Sequence, residues 1–270
     1  MTPAPQLPDP WDLVDRAETI LLVHAHPDDE SLATGALIAD LAASGKAVHV
    51  LTTTRGEEGE VVDGAIDPAD TRSLEDVRAE EIARACGALG VRRRMMLGQE
   101  PALAAGHPPR RYRDSGMRWV RPGLAGPAES AGPESFTMRD IEDAVADLSA
   151  AITVLGPDVV LGYDDAGTYG HPDHVHAHEV TALACRAAGV PFVEFLSLDE
   201  DGTAPAGTSD ARWRDHPDSL AAVRTALEAY RTQLTVIGED RDGPGAIRVR
   251  HVGGQRQRIP LRTGLRTATD

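Results

Sequence analysis

Cysteine is scarce in this sequence: Cys86 and Cys185 are the only two in 270 residues. Each lies in a predicted helix, so we expect buried free thiols and no disulfide. No apolar run approaches the ~18 residues that a membrane-spanning helix requires. The N-terminus also lacks the apolar core of a secretory signal. Together these absences predict a cytoplasmic protein without a membrane span.

Basic residues are also few, with 27 Lys and Arg against 43 Asp and Glu, and the net charge is −16. This balance argues against a nucleic-acid partner, because non-specific binding to nucleic acid needs a basic surface. The hydrophobic content of 41% is enough for a core. We expect one domain over residues 16–237, preceded by a flexible, proline-rich arm at 1–15. The Arg- and Gly-rich segment 238–270 either belongs to this domain or is loosely ordered.

Apolar runs of strand length alternate with helical patterns through most of the chain. The predicted strands are 19–24, 47–53, 94–97, 158–162 and 192–198, and the predicted helices are 32–43, 74–89, 137–155, 174–188 and 218–234. This alternation predicts an α/β fold with a doubly wound, mostly parallel, Rossmann-like sheet of order 3-2-1-4-5 and helices on both faces. The first βα turn lacks the G-x-G-x-x-G pattern, which disfavours nucleotide binding.

Two His-Pro-Asp segments follow two of these strands. His26-Pro27-Asp28 comes after the first strand, and His171-Pro172-Asp173 comes after the fourth. One such segment alone is usually a turn with a helix cap. In the predicted strand order, however, strands one and four are neighbours at the switch point, where ligands bind. We therefore interpret the two segments as halves of one metal site.

The residue types in these segments suit a catalytic metal. His26, Asp29 and His174 form a set of two imidazoles and a carboxylate, which is typical of catalytic zinc with an open coordination position. The same set also suits Fe²⁺. Asp28 stands next to a predicted ligand, and we expect it to act as general base on a zinc-bound water.

The motifs Ala25-His26-Pro27-Asp28-Asp29-Glu30 and Tyr169-Gly170-His171-Pro172-Asp173-His174 resemble those of the LmbE-like, PIG-L family of zinc-dependent N-deacetylases. The resemblance extends from about residue 19 to 198. It is strongest to the mycothiol-pathway N-acetylglucosaminyl-inositol deacetylases, whose pattern also matches residues 56–61 and 113–117. The implied reaction is hydrolysis of the N-acetyl group of a small N-acetyl amino sugar.

The resemblance also implies roles for further residues. His26, Asp29 and His174 would be zinc ligands, and Asp28 would be the base. His171 and Tyr169 would stabilise the tetrahedral intermediate, with Asp173 orienting His171. The implied substrate-binding residues are Arg78 and Asp114.

Several alternatives remain open at this point. One alternative substrate is an N-acetyl sugar of antibiotic or other secondary metabolism, and one alternative enzyme is a thiol S-conjugate amidase of the same fold. A non-catalytic metal- or sugar-binding module is disfavoured by Asp28, because binding alone needs no unliganded carboxylate there. An Fe²⁺ oxygenase is disfavoured by the βα alternation.

Overall fold

The computed structural model describes residues 8–121, 124–196, 198, 203–204, 208–240, 243 and 245–268. Its helices are α1 (Pro10–Arg16), α2 (Asp29–Ala33), α3 (Gly35–Ala43), α4 (Leu74–Ala88), α5 (Ile141–Leu155), α6 (Gly167–Gly170), α7 (Pro172–Ala188) and α8 (Leu220–Ala229). Short 3₁₀ helices span Phe136–Met138 and Pro217–Ser219. Within the described ranges, no helix is both long and apolar enough to cross a membrane.

Three sheets contain the strands. They are β1 (Thr19–His24), β2 (Ala47–Thr52), β3 (Arg93–Met96), β4 (Arg118–Arg121), β5 (Leu124–Gly126), β6 (Val159–Tyr163), β7 (Phe192–Leu196), β8 (Arg212–Asp215), β9 (Leu234–Asp240), β10 (Ala246–His251), β11 (Arg256–Pro260) and β12 (Arg262–Thr267). The main sheet has the order β3-β2-β1-β6-β7-β12-β8, a smaller sheet has the order β11-β10-β9, and β4 and β5 form a hairpin.

The first five strands of the main sheet confirm the predicted order 3-2-1-4-5. All are parallel, and β1 lies between β2 and β6. The apolar runs of β1 and β6 are buried along almost their whole length, because helices cover the sheet. Among these helices α5 packs against α7, and α8 packs against α3 and α4. The carboxyl ends of β1 and β6 therefore meet at one edge of the sheet.

Both terminal segments contribute to the folded structure in the described part of the chain. Residues 10–15 of the expected flexible arm lie in α1, whose Trp11 and Val14 are buried in the core. Residues 1–7 lie outside the described part of the chain. In the Arg-rich segment, β12 pairs antiparallel with both β7 and β8, so this part of the segment belongs to the main sheet.

Three predicted helices have clearly different boundaries. The helix expected over 218–234 is shorter, because α8 ends at Ala229 and Leu234 begins β9. The helix expected over 32–43 is divided into α2 and α3 at Thr34, whose hydroxyl donates to the Glu30 carbonyl oxygen. The helix expected from Thr137 begins at Ile141, with Asp140 as its cap. Thr137 does not cap it because it lies within the separate 3₁₀ helix Phe136–Met138. Both buried cysteines are free, as expected.

Candidate metal centre and active site

The two His-Pro-Asp segments lie side by side, because β1 and β6 are neighbours in register. After β1, the chain turns sharply through Pro27, and the His26 N–H donates to Asp29 Oδ2 over 2.8 Å. After β6, His171 caps α7, which places His174 in its first turn. Neighbouring strands thus bring residues from distant parts of the sequence to one edge of the sheet.

The three predicted metal ligands converge in the structure. Asp29 Oδ2 lies 3.2 Å from His26 Nδ1 and 3.3 Å from His174 Nε2, and the two nitrogens are 3.3 Å apart. Tetrahedral zinc with bonds of about 2.0–2.1 Å separates its ligand atoms by about 3.3 Å. A nitrogen of His171 also lies within 4.8 Å of nitrogens of His26 and His174. The donor set therefore fits a small divalent cation.

The hydrogen bonds of His26 also suit a metal ligand. Its Nε2 lies 3.1 Å from Asp173 Oδ2 and 3.6 Å from Asp114 Oδ1. A proton on Nε2 satisfies the Asp173 carboxylate and leaves the Nδ1 lone pair free for a metal. A carboxylate behind a ligating imidazole is a recurrent arrangement in metal sites.

Burial and charge act in opposite directions on these groups. Burial alone lowers the pKa of His26, but the surrounding carboxylates, led by Asp114, raise it well above the usual value. Burial raises the pKa of Asp29, whereas His174 and His26 lower it well below the usual value. The cluster thus favours a positive charge at its centre, which either a proton or a metal cation supplies.

Asp28 has an unusual backbone conformation. Its φ of 110° lies in a region that residues other than glycine rarely adopt. The Asp28 N–H lies 3.3 Å from Glu30 Oε2, and the Asp28 side chain does not cap α2. Burial and the neighbouring carboxylates of Asp29 and Glu30 raise the pKa of Asp28 well above its usual value. Asp28 is therefore suited to accept and hold a proton beside the donor set.

His171 and Asp173 are arranged differently from the expectation. The predicted role of Asp173 was to orient His171, but its carboxylate contacts His26 and accepts from the Ser115 N–H. Only the backbone N–H of Asp173 contacts His171, donating to Nδ1 over 3.2 Å. A neutral His171 therefore carries its proton on Nε2. Burial, His26 and His174 lower the pKa of His171 to about 2, which favours this neutral form.

Tyr169 lies at the rim of the site and is 57% exposed. Its ring centroid is 5.2 Å from that of His174 and 6.1 Å from that of His171. The backbone around it is constrained, because Gly167, Thr168 and Gly170 all have positive φ. A Cβ at Gly167 would lie 2.7 Å from the backbone nitrogen of Val175. This close approach supports the expectation that the glycines aim Tyr169 towards the site.

Asp114 lies beside the donor set, whereas Arg78 is held by the loop that follows β2. The Asp114 N–H donates to Glu57 Oε2, and its carboxylate faces His26. Arg78 is 1% exposed and donates to the carbonyl oxygens of Gly59 and Glu60. Within the described residues, its Nε and Nη1 have no hydrogen-bond partner. Burial lowers the pKa of Arg78, while nearby carboxylates, first Asp28, oppose that shift.

The sequence analysis missed residues that support the site from behind. Tyr230 donates to Glu30 Oε1 over 2.6 Å, and Gln233 Nε2 donates to the Pro27 carbonyl oxygen over 2.8 Å. The turn after α8 thus forms hydrogen bonds with Pro27, which precedes Asp28, and with Glu30, which follows it closely. No sequence motif marks this turn. Tyr163 also contacts the donor set. Its position at the end of a strand, beside Asp164, is the one feature of the sequence that could have indicated a place near the site.

Comparisons with known proteins agree on one family. The profile described as PIG-L, GlcNAc-PI de-N-acetylase, matches residues 21–185. A 1D-myo-inositol 2-acetamido-2-deoxy-alpha-D-glucopyranoside deacetylase of Rhodococcus jostii is 46% identical, covering 80% of this chain and 82% of the relative. Its namesake of Actinosynnema mirum is 44% identical, covering 80% and 81%. Against a third, from Kineococcus radiotolerans, the match is 41% identical and spans only 45% of the relative's length.

Solved structures support the same fold. The zinc-inhibited form of teicoplanin deacetylase Orf2 has a TM-score of 0.57 at 17% identity, covering 93% of this chain and 99% of the other. The 4-carboxy-2-hydroxymuconate hydratase GalB of Pseudomonas putida has a TM-score of 0.51 at 19% identity, covering 79% and 78%. These proteins catalyse different reactions, so the shared fold by itself does not identify the chemistry.

Proposed function

Because the chain belongs to the PIG-L family of de-N-acetylases, we propose that it is a zinc-dependent deacetylase of an N-acetylglucosaminyl-inositol or a closely related glycoside. The reaction adds water across the acetamide, breaking the C–N bond and releasing acetate and the free amine. Two relatives that carry this substrate in their names are 44% and 46% identical over most of both chains.

The observation that carries the proposal is the convergence of His26 Nδ1, Asp29 Oδ2 and His174 Nε2 within 3.3 Å of one another. Such spacing suits tetrahedral zinc, and Fe²⁺ is the alternative metal for the same donors. When bound, the metal polarises the acetamide carbonyl and makes a water molecule more acidic. The remaining chemistry falls to the residues around the donor set.

Asp28 accepts a proton from the attacking water. It keeps that proton until the C–N bond breaks and then transfers it to the leaving amine. One residue can thus serve first as base and then as acid. Two consecutive aspartates thus have different tasks, because Asp29 Oδ2 contacts His26 and His174 whereas Asp28 is not in the donor set.

The negative charge that develops on the carbonyl oxygen needs donors at fixed positions. His171 donates from Nε2, because its Nδ1 is occupied by the Asp173 N–H. Tyr169 supplies a hydroxyl from the rim. Each such donor contributes about 3 kcal/mol to stabilising a transition state. We assign Arg78 and Asp114 to the sugar and inositol hydroxyls, since both are polar groups in the neighbourhood of Asp28.

The test is the release of amine from N-acetylglucosaminyl-inositol, from free N-acetylglucosamine and from an analogue with a bulky N-acyl group. Each is measured after chelation and after re-addition of Zn²⁺ or, without oxygen, of Fe²⁺. We expect metal-dependent turnover with a strong preference for the inositol glycoside. A preference for the bulky acyl group would indicate an amidase, and activity that survives metal removal would contradict the proposal.

A pair of variants on one helix tests the donor set directly. His174→Ala should lose both the metal and the activity, because one of three ligands is removed. His176→Ala is the matched control, since His176 points away from the site and packs against Phe136. It should keep one metal per chain, as measured by elemental analysis. Stoichiometric zinc in His174→Ala would remove that histidine from the donor set.

A further inference from the structure

Tyr163, the last residue of β6, lies directly behind the donor set. Its side chain is buried and is surrounded by the rings of His24, His174 and Phe195. Neither the chemistry described above nor the predicted site makes use of this residue. Its contacts nevertheless involve two of the three predicted ligands.

The hydroxyl of Tyr163 has a fixed hydrogen-bond direction. It accepts from the Ala25 N–H over 2.9 Å, and it lies 2.8 Å from Asp29 Oδ2. A backbone N–H can only donate, so the hydroxyl proton is free to point to the Asp29 carboxylate. Tyr163 therefore ties Asp29 to the backbone at the end of β1. The hydroxyl therefore donates a hydrogen bond to Asp29, a predicted metal ligand, and is not itself a metal ligand.

The ring of Tyr163 acts on the second ligand. It stacks on the His174 imidazole with a centroid distance of 4.2 Å and an interplanar angle of 17°. In the part of the chain that the structure describes, His174 Nδ1 has no hydrogen-bond partner. The usual device for fixing a ligating imidazole, a hydrogen bond to its other nitrogen, is thus missing at His174. Among the rings that contact His174 in the described residues, that of Tyr163 is the nearest and the most nearly parallel, so it is best placed to fix the plane of this imidazole.

We propose that Tyr163 is the positioning residue of the metal centre, holding Asp29 through its hydroxyl and His174 through its ring. This inference rests on the proposed function, because it assumes that these residues bind a metal. His26 has its own partner in Asp173, so every predicted ligand is then held by a named neighbour. Fixing the donor atoms before the metal arrives reduces the ordering that binding requires.

The test compares zinc affinities, measured by competition with a chromogenic chelator. Tyr163→Phe keeps the stacked ring and removes the hydroxyl, so its zinc Kd should rise about 10- to 100-fold. Tyr163→Leu removes the stacking as well and should bind zinc more weakly still. Should the leucine variant fail to fold, the nearly isosteric phenylalanine variant still decides the question.

The matched control is Tyr112→Phe. Tyr112 is also buried, and its hydroxyl donates over the same distance of 2.8 Å to a carboxylate, that of Asp147, away from the donor set. The free energy of unfolding of Tyr112→Phe should fall, whereas its zinc Kd should stay unchanged. Equal zinc affinity in Tyr163→Phe and the unsubstituted protein would overturn the inference. If the unsubstituted protein binds no zinc, the proposed function itself fails.

Discussion

Asp28 combines a strained backbone with a half-buried carboxyl group. Its φ of 110° costs on the order of 1–3 kcal/mol in a residue with a Cβ. The surrounding contacts hold it there, because Glu30 faces its N–H and Gln233 binds the preceding carbonyl group. A turn with glycine at this position would be more stable. The presence of aspartate therefore indicates that the carboxylate is needed for chemistry.

We expect Asp28→Asn to reduce kcat by roughly 10²- to 10⁴-fold, because an amide cannot accept the proton of the attacking water. The metal content should stay at that of the unsubstituted protein, since Asp28 is not in the donor set. Steady-state amine release and elemental analysis check both statements. Activity within a few-fold of the unsubstituted protein would show that another group is the base.

A companion variant, Asp28→Gly, separates stability from activity. Glycine adopts positive φ at little cost, and its introduction also removes the repulsion from Asp29 and Glu30. Its unfolding free energy should therefore rise by about 1 kcal/mol while its activity is lost. Urea unfolding measures the change. Equal or lower stability would contradict the interpretation of the Asp28 backbone as strained.

At the scale of elements, the sequence predicts what depends on local pattern. Apolar runs gave the parallel strands, and the two His-Pro-Asp turns pointed to one edge of the sheet. The contacts that complete the site join residues distant in sequence, and no local pattern encodes them. Tyr163 and Asp29 are 134 residues apart, and Tyr230 and Glu30 are 200 apart. The family resemblance implied that Asp173 orients its neighbour His171, whereas its carboxylate contacts His26.

The loop after β2 offers a test of Arg78 that leaves every polar group unchanged. A Cβ at Gly59 would lie 2.8 Å from Arg78 Nη1, so Gly59→Ala should displace the guanidinium. Loss of one substrate hydrogen bond should raise KM roughly three- to tenfold with little change in kcat. The matched control is Gly87→Ala in α4, where an added Cβ meets nothing within 4 Å.

The control has its own expected result. Gly87→Ala should leave KM unchanged and raise the unfolding free energy by about 0.5–1 kcal/mol, because alanine favours the helix. Substrate-saturation curves for the two variants decide between the alternatives. An unchanged KM in Gly59→Ala would remove Arg78 from the substrate-binding residues.

At the scale of the whole molecule, the two ends of the described chain meet beside the main sheet, where the Thr267 hydroxyl donates to the Pro8 carbonyl oxygen over 2.8 Å. Trp11 in α1 donates from its indole N–H to the Arg212 carbonyl oxygen of β8 over 2.8 Å. Arg214 of the same strand lies over the Trp11 ring at 4.0 Å and pairs with Asp15. The proline-rich start predicted a flexible arm, and the Arg-rich end left open whether it belongs to the domain, because a contact between distant parts of the chain leaves no local signal.

Through the Asp15–Arg214 pair, the stabilisation that the contact between α1 and β8 provides should depend on pH. Hydrogen bonds from Arg214 lower the pKa of Asp15 below its usual value in the folded protein. The pair thus stabilises the fold above the unfolded pKa of about 3.9, and this contribution is lost as pH falls through the folded pKa.

Because Asp15 is 49% exposed, Asp15→Asn should lower the unfolding free energy at pH 7 by only about 0.5–1 kcal/mol. In urea titrations from pH 7 to 3, that difference should shrink below pH 4, whereas Asp12→Asn, whose pair with Arg16 is more exposed, should change little at any pH. A difference that stays constant down to the acid limit of folding would instead assign the effect to packing, because a protonated Asp15 no longer forms an ion pair.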